Sequence, residues 1–142
     1  MDFIRAAEEL MTLQAALHRL PMNTEISKMA SGELFLLYHL LTHDGQSNPK
    51  EISRKMMVST ARVAALLNHM ESKNLVLRFP DPKDSRKVVV SLTAEGQEMV
   101  EKGRERVLSM LSHVLENIGP EDTIELIRIQ KKLLEYFTPQ TC

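Results

Sequence analysis

Apolar residues recur at spacings of three and four through Phe3, Ala6, Ala7, Leu10, Leu13, Leu17 and Leu20. This is the stripe of an amphipathic helix, and Pro21 marks its end. From Ser31 the run Leu34, Phe35, Leu37, Tyr38, Leu40 and Leu41 is apolar round most of its circumference, which predicts a helix buried on several sides. Asp44-Gly45 stops it, because glycine takes the positive φ of a helix C-cap at no steric cost. Asn48-Pro49-Lys50-Glu51 predicts a sharp new start: Asn48 caps, Pro49 suits the first helical position, and Glu51 stands where a capping box places its acid. Met56-Met57-Val58 is a compact apolar turn, after which Ser59 caps a helix with Val63, Leu66, Leu67 and Met70 on its inner face. Asn74 suits a left-handed C-cap.

The pattern then changes period. Leu75 to Phe79 reads as a strand, Pro80 to Ser85 as a turn, and Arg86 to Leu92 as a second strand with Val88, Val90 and Leu92 on one face. Thr93 caps a long helix that keeps Val100, Gly103, Val107, Met110, Leu111, Val114 and Ile118 on one side as far as Gly119. Pro120, with Glu121 and Asp122 in the turn where the helix dipole favours negative charge, opens a last helix carrying Ile124, Ile127, Leu133, Leu134 and Phe137. Two short helices joined by a tight turn and followed by a basic hairpin form a winged helix-turn-helix. The predicted fold is therefore α+β and mostly helical. Its expected parts are an N-terminal helix and connector over 1–30, the winged lobe over 31–93, and C-terminal helices over 94–142.

Charge sharpens this picture. The chain carries a net charge of −1, too little to coat nucleic acid by bulk electrostatics. From Lys50 to Lys87, however, nine basic residues face four acidic ones, a local balance of +5, while the remainder carries −6. A basic centre between acidic flanks suits a chain whose middle meets phosphates and whose ends meet protein. Ser59, Thr60 and Arg62 project from the first turn of the predicted recognition helix, where an Arg suits guanine and hydroxyls suit phosphate oxygens. Lys83, Arg86 and Lys87 make the wing basic, and Arg86 is the expected minor-groove side chain. Asp84 is expected to hold the wing by pairing with Arg86 or capping its turn.

These segments resemble the MarR (multiple antibiotic resistance regulator) family. The resemblance is dense from Asn48 to Gly96: Glu51-Ile52-Ser53-Arg54-Lys55-Met56 is similar to the family's first motif helix, and Val58-Ser59-Thr60-Ala61-Arg62-Val63 to the start of its recognition helix. Leu66-Leu67-Asn68-His69-Met70-Glu71 is similar to the continuation of that helix. Asp84-Ser85-Arg86, followed by Val88, Val90 and Leu92-Thr93-Ala94-Glu95-Gly96, resembles the wing signature. Ala65, Asn68 and His69 depart from it, standing where members often carry a basic, an acidic and a basic residue. The resemblance implies that the terminal helices form a dimerisation domain and that Arg78 contacts a phosphate. It implies a homodimeric, sequence-specific transcriptional regulator on a palindromic operator in double-stranded DNA. A ligand-released repressor with an aromatic or lipophilic effector is the expected form.

Other chemistries leave weaker marks. No nucleophile with a neighbouring base, paired carboxylates or phosphate loop stands out, so no enzyme is expected. His39 and His43, four apart, have the spacing for a shared metal, with Glu33 and His113 as candidates to complete it. Lacking a nearby Cys, they read as surface or interface residues, and no metal or other cofactor is expected. A zinc-responsive regulator of the same fold, and a winged-helix protein-interaction module without DNA binding, are the alternatives; the cations of helix and wing argue against the second. Asp2, Arg5, Glu8 and Glu9 break any signal or membrane segment near Met1, so the expectation is a cytoplasmic protein with no membrane partner. The one cysteine, Cys142, is expected at a frayed terminus without a redox role, and most of the nine methionines are expected to pack the core.

Overall fold

A computed structural model describes residues 1–138; Cys142 lies outside the described residues. Helix α1 (Phe3–His18) is started by Asp2, whose carboxylate accepts the amides of Ile4 and Arg5 at 3.0 and 3.2 Å. Pro21 does more than end that helix. It occupies the first turn of α2 (Pro21–Ala30), a helix in the stretch expected to be a connector, because a fixed φ and a missing N–H cost nothing at that position. Helix α3 (Gly32–Leu41) follows after Ser31. Asp44 and Gly45 both take positive φ, which turns the chain into a two-residue strand β1 (Gln46–Ser47).

Helix α4 (Pro49–Met56) begins as expected, with Asn48 Oδ1 accepting the Glu51 amide at 2.9 Å. It ends on Met57, a non-glycine residue at φ 56° whose side chain is 90% exposed. The left-handed cap reverses the chain within two residues, and the Ser53 hydroxyl holds the turn by donating to the Val58 carbonyl at 2.6 Å. Helix α5 (Thr60–Ser72) is capped by Ser59 and released by Asn74 at φ 59°. Strands β2 (Val76–Pro80) and β3 (Val88–Leu92) pair antiparallel from Val76↔Leu92 out to Pro80↔Val88. Strand β1 adds to the other edge of β3 through Gln46↔Ser91 and Ser47↔Val90, giving the sheet order β1-β3-β2. Two residues are too short to leave a periodic signal, so this third strand is visible only in the folded chain. The long helix α6 (Ala94–Ile118) and α7 (Pro120–Phe137) complete the order.

The chain divides into two compact units, Met1–Val107 and a second from Leu108. In the first, Leu36, Leu37 and Leu40 of α3 meet Ile52, Val63, Leu67, Met70, Val76, Val90 and Val100 in one core. His39 belongs with them at 6% exposure, its Nε2 at 3.1 Å from Ser47 Oγ, which corrects the surface reading of that histidine. The methionines also divide: Met70 is buried and Met29 and Met56 pack beside the core, whereas Met1, Met11, Met57 and Met99 are exposed. Helix α1 contributes no buried residue, and in the second unit neither does α7. Phe3 is 76% exposed in the one and Leu134 68% in the other. Among the described residues no helix is long and apolar enough to cross a membrane.

Backbone segments approach closely where β3 passes into α6. The Thr93 amide donates to the Leu75 carbonyl at 3.2 Å, and the Thr93 hydroxyl lies 2.7 and 2.9 Å from the carbonyls of Asn74 and Leu75. That hydroxyl accepts the Gly96 amide at 3.0 Å, so one threonine caps α6 and fastens it to the end of α5. Gly96 is buried there, and a Cβ added to it would stand 2.2 Å from the Leu75 carbonyl oxygen. Because backbone cannot rotate away as a side chain can, Gly96→Ala should destabilise the protein by about 1–3 kcal/mol or more. Urea denaturation read by circular dichroism checks this; an unchanged midpoint would mean that α6 can shift freely on the lobe.

Candidate nucleic-acid interface

The lobe presents helix α5 by its N-terminus. Ser59 lies in extended backbone and its Oγ accepts the Arg62 amide at 3.1 Å, which fixes the first turn and leaves Thr60 and Arg62 exposed. The aligned dipoles of the helix make this end favourable for an anion. The inner face of the helix, Val63, Leu67 and Met70, is buried without remainder, so its rotation about its own axis is fixed by the core.

The wing tip is built by Asp81 and Asp84. Asp81 Oδ1 accepts the Lys83 amide at 2.8 Å, and its own amide donates to the Lys87 carbonyl at 2.9 Å. Asp84 Oδ1 accepts both the amide and the Nε of Arg86, at 3.1 and 3.2 Å. Acceptor side chains two residues before the amides they hold are the usual way a short carboxylate shapes a turn. Arg86 itself keeps 90% of its side chain in solvent, and Lys83 and Lys87 are exposed beside it.

The seven residues expected to meet DNA are not all equally free. Arg78, on β2, is half-buried: its Nε donates to Glu71 Oε2 at 2.8 Å and its Nη2 to Asn68 Oδ1 at 2.6 Å. It thus ties the strand to α5, and Asn68, one of the departures noted above, is one of its two acceptors. His69, another departure, places Nε2 at 3.0 Å from Glu33 Oε1, which Lys73 Nζ also approaches at 3.4 Å. Glu33 is therefore occupied on the lobe surface and stands apart from the His39 and His43 pair; His113 lies in the second unit.

Folding also gathers residues that no motif singled out. Lys50 and Arg54 of α4 join Thr60 and Lys87 around an open concavity of about 490 Å³, bounded by Asn48, Pro49 and Val88. Lys50 and Arg54 stand four apart and so share a helical face, a signal already present in the sequence. A second cleft of about 500 Å³, lined by Phe35, Met56, Met57, Val58 and Leu66, carries Lys55 and Arg62 among its walls.

Comparison with known proteins finds similar sequences and structures. The sequence profile of the MarR family matches residues 30–88. The uncharacterized HTH-type transcriptional regulator YdgJ of Bacillus subtilis is 27% identical over 127 residues, spanning 89% of this chain and 77% of that protein. The HTH-type transcriptional repressor MdtR of the same organism is 26% identical over 141 residues, spanning 93% and 90%. Among solved structures, the YusO protein from Bacillus subtilis matches with a TM-score of 0.75 at 25% identity, covering 95% of this chain and 98% of that one.

The Asp84–Arg86 geometry generates a prediction about the wing alone. An exposed ion pair adds little to global stability, so Asp84→Ala should leave the melting temperature nearly unchanged. Hydrogen exchange at the Arg86 amide should quicken by about fivefold, the equivalent of one hydrogen bond of about 1 kcal/mol. Unaltered exchange at that amide would show that Asp84 does not hold the tip.

Proposed function

We propose that the chain is a transcriptional regulator of the MarR family, whose profile matches residues 30–88, and that it acts in the cytoplasm as a homodimer on a palindromic operator in double-stranded DNA. The observation that carries this reading is the grouping of exposed cations and hydroxyls around the N-terminus of α5: Lys50 and Arg54 from α4, Ser59, Thr60 and Arg62 from α5, and Lys87 from the wing. Helix α5 then enters the major groove by its first turn, where Arg62 reads a base edge and Ser59 and Thr60 meet phosphate. Lys50 and Arg54 lie along the flanking backbone. Arg86, with Lys83, reaches the next minor groove, whose negative potential attracts a guanidinium. Arg78 orients the sheet through Glu71 and Asn68 and adds positive potential behind the contact surface. As in the family and its relatives, the work is regulation of transcription and not catalysis.

The dimer is supported by α1 and α7, each of which leaves its apolar residues in solvent. Phe3, Leu10, Leu13 and Leu17 on the one, and Ile124, Ile127, Leu134 and Phe137 on the other, form stripes that a two-fold related copy would bury. Two lobes so joined would present their α5 helices to successive major-groove faces, about 34 Å apart. The cleft lined by Phe35, Met56, Met57, Val58 and Leu66 suits an aromatic or lipophilic effector. Because Arg62 shares its wall, an effector bound there would displace a DNA-reading side chain and release the operator.

Two outcomes follow. In solution at micromolar concentration the protein should have the mass of a dimer by light scattering, and a monomeric mass would remove the role given to the terminal helices. On DNA, Arg62→Ala should cost about 1–3 kcal/mol per half-site and relax preference at one base pair. Arg86→Ala should weaken binding to most sequences and lower the salt slope by about one per half-site. Operator and random-duplex affinities at several salt concentrations separate the two, and a parental affinity in Arg86→Ala would take the wing off the DNA.

A further inference from the structure

His39 and His43 face away from the roles given so far. Their rings stack with centroids 4.0 Å apart and planes tilted by 31°. A carboxylate from the next helix joins them: ligand atoms of His39, His43 and Glu51 all lie within 4.8 Å of one another. His39 is buried, Glu51 half-buried and His43 exposed, so the cluster runs from the edge of the core to solvent and an ion can reach it.

We propose that His39, His43 and Glu51 form a binding site for a divalent transition metal of the zinc type, tying the end of α3 to the first turn of α4.

Two features of the cluster carry this beyond ordinary packing. The first is orientation. His43 Nδ1 lies 2.7 Å from the His39 carbonyl oxygen, so that nitrogen donates its proton to the backbone and Nε2 keeps the free lone pair. A ligating histidine held by its other nitrogen in this way is the common arrangement around bound metals. The second is the donor set. A buried histidine needs one polar partner, and His39 Nε2 already has the Ser47 hydroxyl at 3.1 Å; packing gives no reason for a second imidazole and a carboxylate at the same place.

The chemistry of the donors selects the metal. Two imidazoles and one carboxylate match the borderline ions, zinc foremost, and fit poorly with calcium or magnesium, which favour all-oxygen sets. Zinc–ligand distances of about 2.0–2.1 Å place tetrahedral donors about 3.3 Å apart. The cluster therefore closes by an ångström or so on binding, which Glu51 and the exposed His43 can supply by rotation of their side chains. Water, or the Ser47 hydroxyl beside His39 Nε2, takes the fourth position.

The test uses the full chain without DNA, so it reads the metal site whether or not the operator reading holds. Chelator-stripped protein titrated with Co²⁺ should take up one ion per chain with the strong visible absorption of four-coordinate cobalt, and Zn²⁺ should displace it. Excess Zn²⁺ should also raise the melting temperature, because the ion binds the folded state. His43→Ala and Glu51→Gln should keep the helical content of the parent, since His43 is exposed and the Asn48 cap uses the Glu51 backbone amide. Both should lose more than about tenfold in affinity, while His113→Ala should bind as the parent does. Absence of uptake at micromolar metal, or equal affinity in His43→Ala, would overturn the proposal.

Discussion

The close approach of α6 to the end of α5 is the constraint on which the rest of the lobe depends. Gly96 brings helix backbone against the Leu75 carbonyl, and Thr93 spends one side chain on the carbonyls of Asn74 and Leu75 and on the α6 amide. Asn74 takes positive φ just before this point, so the recognition helix stops, turns and enters β2 without a spare residue. Strand β3 returns to the same place through Val76↔Leu92. Recognition helix, wing and long helix are thereby joined at one point. A displacement of α6 is therefore felt by the wing and by α5 together.

From that anchor the working surface is set by caps and by burial. Asn48 and Ser59 start α4 and α5, and Met57 in the left-handed region separates them. A β-branched residue at such a φ would be strained, whereas an unbranched methionine tolerates it at modest cost. The buried faces of both helices, through Ile52, Val63, Leu67 and Met70, then decide which cations look outward. Charge on this surface comes from three separate elements. Only packing brings Lys50, Arg54, Thr60 and Lys87 to one concavity.

The same packing assigns different work to residues of one chemical type. Arg62 and Arg86 are exposed, while Arg78 is held by Glu71 and Asn68 and links strand to helix. Asn68 and His69, which depart from the pattern of the family, serve the lobe itself: one accepts from Arg78 and the other meets Glu33. Histidines divide likewise. His39 turns into the core against Ser47, His43 stays in solvent above it, and Glu51 approaches both from α4.

What the sequence determined by itself was local. Helix starts at Asn48 and Ser59, the stops at Gly45, Asn74 and Gly119, the long amphipathic stripe after Thr93 and the hairpin with its acidic and basic tip all depend on neighbours within a few residues. Capping, turn chemistry and periodicity act over that range, so they can be read along the chain. Tertiary structure decided what depends on distant partners. The helix after Pro21 has a weak pattern and becomes legible only as it packs on α3; the two residues of β1 are a strand only because β3 offers an edge. Arg78 reads as one more cation until Asn68 and Glu71, ten and seven residues away, close on it. Likewise Glu33 and Glu51 are equal candidates beside His39 and His43 by charge alone, and the turn at Asp44-Gly45 brings Glu51 to them. Long-range contacts are fixed by the shape of the whole core, and no window of sequence contains that shape.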